Sequence, residues 1–196
     1  MRAALSLAIA LGAGAFLAGA EPAAGKNEGK TPRPAEPAGY RLSDYRAPVP
    51  ATLKGATVLD TARAVEIWTA KAAVFIDALP HIPRPEGLPK DAVWREQPRF
   101  DIPGSVWLPD TGYGELAAST QRYFEQGLAR AAGGDKAKPL VFYCLADCWM
   151  SWNAAKRAIS LGYSNVSWYP EGTDGWTKAG RPLEERKPEP REPAAP

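Results

Sequence analysis

The chain has little with which to hold a metal or build a catalytic triad: among its 196 residues are two cysteines, one histidine and two methionines. A zinc site of four Cys or His ligands cannot be assembled from that stock, and a serine or cysteine nucleophile has only His81 as a conventional base. Neither sign of charge dominates, since 24 basic residues face 22 acidic ones, and a formal net charge of +2 is no electrostatic footprint for nucleic acid. No apolar run reaches the roughly 20 residues that a membrane-spanning helix needs. What is present is a hydrophobic content of 45% with 10% aromatics, the composition of a chain that buries a core.

The longest apolar run, Leu5 to Leu17, follows Arg2 and ends in Ala18, Gly19 and Ala20. A positive start, a short apolar stretch and a small-residue cleavage pattern predict a secretory signal peptide over residues 1–20, with no cysteine placed for a lipid anchor. The expected product is periplasmic, with no stable membrane insertion after cleavage; an uncleaved anchor is the alternative. Removal takes away one basic residue and leaves 176 residues with a charge of about +1, enough for one ordinary domain and cramped for two.

Residues 21–39 are Pro, Ala, Gly, Lys and Glu without apolar periodicity and read as a disordered linker; residues 186–196, RKPEPREPAAP, read as a disordered tail. Between them, over residues 40–185, helical and strand signals alternate, the pattern of an α/β domain with a parallel sheet flanked by helices. Thr61 to Thr69 has helical spacing, and Ala73 to Ala78 is a short apolar strand ending in Asp. Pro80 to Phe100 carries five prolines and reads as an insertion that covers a site. Asp101 to Pro109 contains a turn and a brief strand, and Glu115 to Ala131 is an amphipathic helix stopped by Gly133 and Gly134.

Leu140 to Tyr143 is a continuous apolar strand that runs into Cys144, and Ser151 to Leu161 is helical with Gly162 beyond it. Cys144 therefore sits between a strand end and a helix start. There, in open α/β sheets, ligands bind and unpaired amides favour an anion such as a thiolate. Asn165 to Tyr169 reads as one more strand, followed by a turn into a last short helix.

In order and spacing, FIDA (Phe75 to Ala78), DIPGSVWLP (Asp101 to Pro109), VFYC (Val141 to Cys144) and LGYSNVSWYPEGTDGW (Leu161 to Trp176) resemble the rhodanese superfamily. The resemblance covers roughly residues 57–183. It implies a single domain with a central parallel sheet of about five strands. It also implies a cysteine thiolate that takes sulfane sulfur from a small donor molecule or a protein thiol, and no cofactor or metal. CLADCW, Cys144 to Trp149, further resembles a subfamily with a C-x-x-x-C-W motif associated with PQQ-dependent catabolism, which implies a PQQ-dependent dehydrogenase system as partner. On this resemblance Cys144 is the catalytic position, and Leu145, Ala146, Asp147 and Trp149 belong to the substrate loop. Asp147 stands where sulfurtransferase loops place a basic residue, and its charge opposes an anionic donor and raises the thiol pKa. Met150 occupies the place of the arginine that related phosphatases need, and Leu79 that of an arginine after the strand Asp.

Cys148 lies four residues from Cys144, and in an oxidising compartment the pair can bond if the loop brings the Cβ atoms within about 4 Å. Closing so small a ring stabilises the fold by about 2 kcal/mol at most, which favours a redox or persulfide-resolving role for Cys148 over a structural one. The alternatives are a rhodanese-like binding module without catalysis and an inert clip. Asp147 reads equally as a helix N-cap, and Trp149 and Trp152 as core packing or as an aromatic face. Asp77 reads as a polar strand end and His81 as a loop residue rather than a thiol base. Arg84, Arg95 and Arg99 read as solvated charges or as substitutes for the missing loop base. Haem attachment is excluded because Trp149 stands where the axial His belongs; quinone binding by the Trp-flanked pair stays open.

Overall fold

Three four-residue strands rich in large apolar side chains supply the centre of the molecule: β2 (Val74–Asp77), β5 (Leu140–Tyr143) and β6 (Val166–Tyr169). In the computed structural model, which describes residues 32–82, 84–95 and 97–191, they lie side by side with Ile76, Phe142 and Trp168 in register. β1 (Thr57–Val58) flanks β6 and β4 (Val106–Trp107) flanks β2, giving the order β1-β6-β5-β2-β4 with every pairing parallel. The fold is α/β with a five-stranded parallel sheet, as the alternating pattern predicts. The segment expected to be a signal peptide, the start of the linker and residues 192–196 lie outside the described residues.

Strand alternation divides the side chains between two layers. Ile76, Phe142 and Trp168 face α2 (Ala118–Ala132) and α3 (Trp149–Ser160), where Phe124, Leu128, Trp152 and Ala155 complete one core. Phe75, Val141, Tyr143 and Tyr169 face α1 (Thr61–Thr69) and α4 (Gly172–Lys178), around Ala64 and Trp176. α1 begins where Asp60 accepts the Arg63 amide at 2.8 Å, and α2 stops where Gly133 turns left-handed at φ 61°. α2 runs from 118 rather than 115, and α3 starts two residues before the expected Ser151.

Two segments that lack periodicity are nevertheless tied down. From Arg186 a disordered tail is expected, but β7 (Glu184–Arg186) pairs antiparallel with β3 (Arg99–Asp101), and the chain stays docked to Arg191. The Glu189 amide donates to Trp107 O, its carbonyl accepts from the Tyr123 hydroxyl, and Arg191 lies 3.3 Å from Asp110. Composition misses this because the segment is held by hydrogen bonds and ion pairs, with little apolar burial of its own. The second segment, residues 40–53, crosses α3 as a strap. Asn153 on that helix accepts from the Arg41 amide and donates to the Arg41 carbonyl, both at 2.9 Å, while Val49 and Leu53 enter the core.

α3 also carries Arg157, buried without a carboxylate partner among the described residues. It donates to the carbonyls of Thr111, Tyr113 and Gly114 at 2.7, 2.8 and 3.1 Å, and its guanidinium lies 4.6 Å from the Tyr40 ring. Burial pulls its pKa below the usual arginine range. The fork thus holds the loop after β4 against the helix. Arg157→Met keeps the apolar stem but strands the loop carbonyls, and is expected to lower the unfolding free energy by about 3 kcal/mol in urea titration. Arg157→Lys, lacking the planar fork, recovers less than half of that.

Candidate active site

β5 sits between β2 and β6, so its carboxyl end opens at the middle of the sheet edge, and the first residue beyond it is Cys144. Its carbonyl accepts the Thr173 amide at 3.0 Å from the start of α4. Gly172 makes that approach possible: its φ is +52°, and a Cβ there would strike the Cys144 carbonyl. The next residues form a short loop. Ala146 donates its amide to Asp174 at 2.9 Å, and Asp147, exposed, takes a left-handed φ of 49°. That kink, which Asp tolerates better than most side chains, returns the chain to Cys148, the N-cap of α3. Of the two readings of Asp147, the helix cap is thereby corrected: Cys148 holds the capping position, and Asp147 lies one residue outside it.

Cys144 and Cys148 form a disulfide with their Cα atoms 6.5 Å apart. This is within the usual span of roughly 4.4–6.8 Å, and the loop reaches it because Cys148 is extended, with φ −123°, rather than helical. Both residues are buried, at 0% and 2% exposure, in a small cluster with Met150, covered by Tyr45, Leu79 and Leu145. Ser151 lies beneath, with its Oγ 3.4 Å from Cys144 Sγ and 3.4 Å from the Cys148 carbonyl. The Trp168 indole donates to that same oxygen at 3.1 Å, so the serine hydrogen is left to point at the carbonyl or at the sulfur.

The expectation of a thiol presented to solvent beside unpaired helix amides needs correction. The strap covers the site: the Trp149 amide, in the first turn of α3, donates to Tyr45 O at 2.8 Å, and Arg46 bridges backbone to backbone with Cys148. Arg46 also donates to Ala146 O at 2.9 Å, so the basic group missing from the loop comes from another part of the chain. Trp149, expected in the substrate loop, is instead buried in the helix, edge-on to Trp152 with ring centres 5.4 Å apart. Leu145 and Ala146 remain on the loop, half-buried. The other candidates disperse. His81 faces Asp110, Nδ1 to Oδ2 3.2 Å, and stacks on Trp107; Arg84 is spent on the carbonyls of Pro89 and Ala92; Arg95 is exposed.

Arg99 is no solvated charge. Its Nε donates to Asp77 Oδ2 at 2.7 Å, and Asp101 Oδ1 lies 3.7 Å from its Nη2, with both carboxylates fully buried. Asp77 is thus a buried ion-pair partner rather than a bare strand end. On the same face the Tyr143 hydroxyl donates to Asp101 Oδ1 and lies 2.7 Å from Ser105 Oγ. Burial pushes the Asp101 carboxyl up to about 8, helped by the charge of Asp77, and burial raises Asp77 against the pull of Arg99. Asp77 has the direct bond to Arg99 and a second from the Leu79 amide, so the shared proton resides on Asp101.

Folding therefore raises the Asp101 pKa, and its contribution to stability is complete below the ordinary value of 3.8 and is lost as pH climbs through about 8. Denaturation of the parent and of Asp101→Asn across that window is expected to show the parent losing stability relative to the variant as pH rises. Parallel curves would contradict the assignment.

Residues 94–179 match the family model described as a rhodanese-like domain, a span that takes in the Cys144 loop and is less than half of the chain. The match and the parallel sheet support a rhodanese-like domain over these residues. No curated protein matches the sequence. Among solved structures, the chain is similar to an uncharacterized protein from Saccharomyces cerevisiae, at 24% identity over 64% of this chain and 93% of that one, with a TM-score of 0.39. It is similar to a thiosulfate sulfurtransferase from Pseudomonas aeruginosa at 21% identity, over 68% of this chain but only 21% of that one, with a TM-score of 0.46. A polysulfide-sulfur transferase homodimer from Wolinella succinogenes is similar at 16% identity, over 68% and 81% of the two chains, with a TM-score of 0.42.

Proposed function

We propose that the protein is a periplasmic rhodanese-like sulfurtransferase with a resolving cysteine. The observation that carries this reading is the bond between Cys144 and Cys148 within one short loop at the carboxyl end of the central strand. In the reduced protein the Cys144 thiolate attacks the outer sulfur of a sulfane donor; the S–S bond of the donor breaks and its remainder leaves with the electron pair. Cys144 then carries a persulfide. The Cys148 thiolate attacks Cys144 Sγ, the disulfide forms, and the transferred sulfur departs as hydrosulfide. A dithiol reductant supplies two electrons and two protons to return the pair to thiols. Ser151, 3.4 Å from Cys144 Sγ, is placed to donate its hydroxyl to the thiolate. The resemblance of CLADCW to the motif associated with PQQ-dependent catabolism supports a role beside a PQQ-dependent alcohol-oxidation system.

The burial of both sulfurs favours a second reading, a non-catalytic binding protein of the same system in which the disulfide is a clip. The two separate by mass. Reduced Cys148→Ser protein offered thiosulfate is expected to gain one sulfur atom at Cys144, and the parent to release sulfide and return to the disulfide. No gain at Cys144 with thiosulfate or with a disulfide substrate overturns the catalytic reading. Access is governed by the strap: Tyr45→Ala is expected to speed reduction of the disulfide by dithiothreitol about tenfold, the effect of making local opening about 1.4 kcal/mol easier.

A further inference from the structure

Beside the disulfide, and separated from it by Leu79 and Leu145, lies an open cavity of about 300 Å³. Its walls are Leu79, Leu145, Trp107 and Leu183, with Ile82 and Phe100 at the rim, 55% and 50% exposed. Exposed large apolar side chains gathered at the mouth of an apolar cavity lower solubility unless something covers them, which makes the arrangement informative. The polar side chains in this lining are Gln97, which is exposed, and Arg99, whose side chain is 10% exposed. Nε is bonded to Asp77, Nη2 is sealed from solvent 3.7 Å from Asp101 Oδ1, and Nη1 has no hydrogen-bond partner among the described residues. A guanidinium held in place by a buried carboxylate, with Nη1 left as its one unsealed donor in the lining of a largely apolar cavity, is a built recognition point.

We infer that this cavity binds a small apolar molecule, of the size of one aromatic ring, through a neutral hydrogen-bond acceptor such as a carbonyl oxygen that accepts from Arg99 Nη1. The charge balance selects against ions. Asp77, 2.7 Å from Arg99, cancels its charge, and Asp101 adds a second carboxyl 3.7 Å away. An anion meets an already neutralised cation with two carboxyls behind it, and a cation meets the guanidinium; a neutral acceptor takes the hydrogen bond without either cost. Above about pH 8, where Asp101 ionises, the lining turns negative and anions fare worse still. The site stands apart from the cysteine chemistry and does not require that Cys144 be catalytic.

Heteronuclear NMR on the full-length chain tests this, because the Trp107 indole N–H, bonded to Leu79 O at 2.7 Å, forms part of the cavity wall and gives a resolvable signal, assigned through Trp107→Phe. Acetophenone is the carbonyl probe, ethylbenzene its counterpart without an acceptor, and benzoate the anion. Acetophenone is expected to shift the Trp107 indole saturably. Ethylbenzene is expected to bind about fivefold more weakly, the worth of one ordinary hydrogen bond, and benzoate no more tightly than acetophenone. Phe100→Ala, at a half-exposed position, is expected to weaken acetophenone binding severalfold while leaving the other indole signals in place. Arg99→Lys, if folded by the same signals, is expected to erase the difference between acetophenone and ethylbenzene. No saturable shift at Trp107, equal affinity for acetophenone and ethylbenzene, or tighter binding of benzoate overturns the assignment.

Discussion

A single amide decides how the sheet edge presents its sulfur. The Trp149 N–H, in the first turn of α3, is of the kind that steadies an anion beyond a parallel strand, and here it is taken by the Tyr45 carbonyl at 2.8 Å. The same strap brings the Arg46 guanidinium to the loop carbonyl of Ala146 and packs the Tyr45 side chain over both cysteines. The loop that carries the two cysteines is covered. Its two sulfurs satisfy each other covalently, and the backbone around them is satisfied by residues from the strap and from α4. Chemistry at Cys144 and displacement of the strap are therefore one problem rather than two.

β5 separates two kinds of environment by the alternation of its side chains. On one side Phe142 packs among aromatic and aliphatic groups; on the other Tyr143 reaches a buried set of two carboxyls, one guanidinium and the Ser105 hydroxyl. The polar set is tolerable only because it approaches neutrality: one proton kept on Asp101 leaves Asp77 to balance Arg99. Arg186 closes it from outside by donating to the Ser105 carbonyl at 2.8 Å, which gives the β3 and β7 pair a part in shielding these charges.

The parallel sheet was readable from its three apolar runs, and the position of Cys144 from the run that ends in it. Periodicity could not show the strap. Residues 40–53 are short on apolar repeats and are held by Asn153 and by backbone pairing, which depend on where α3 lies rather than on local pattern. Nor could it show the docked segment after Arg186, whose proline and charge content is that of a free tail but whose partners, Trp107, Tyr123 and Asp110, are far away in the chain. Asp77 was visible as a polar strand end and Arg99 as a charge within the proline-rich insertion, but their pairing is a tertiary fact. Trp149 misled because a motif position was read as a loop position, when the helix begins at that residue and turns its ring inward.

The strap joins residues far apart in the chain: Arg41 and Asn153 are separated by 112 positions, and Arg46 and Ala146 by 100. Loop closure on that scale is entropically unfavourable until the sheet has brought the ends together, so the first part of the domain to leave the ribosome is among the last to find its place. The cover that Tyr45 forms over the cysteine cluster exists only once this long-range docking is complete, so access to the pair depends on the order in which the segments assemble.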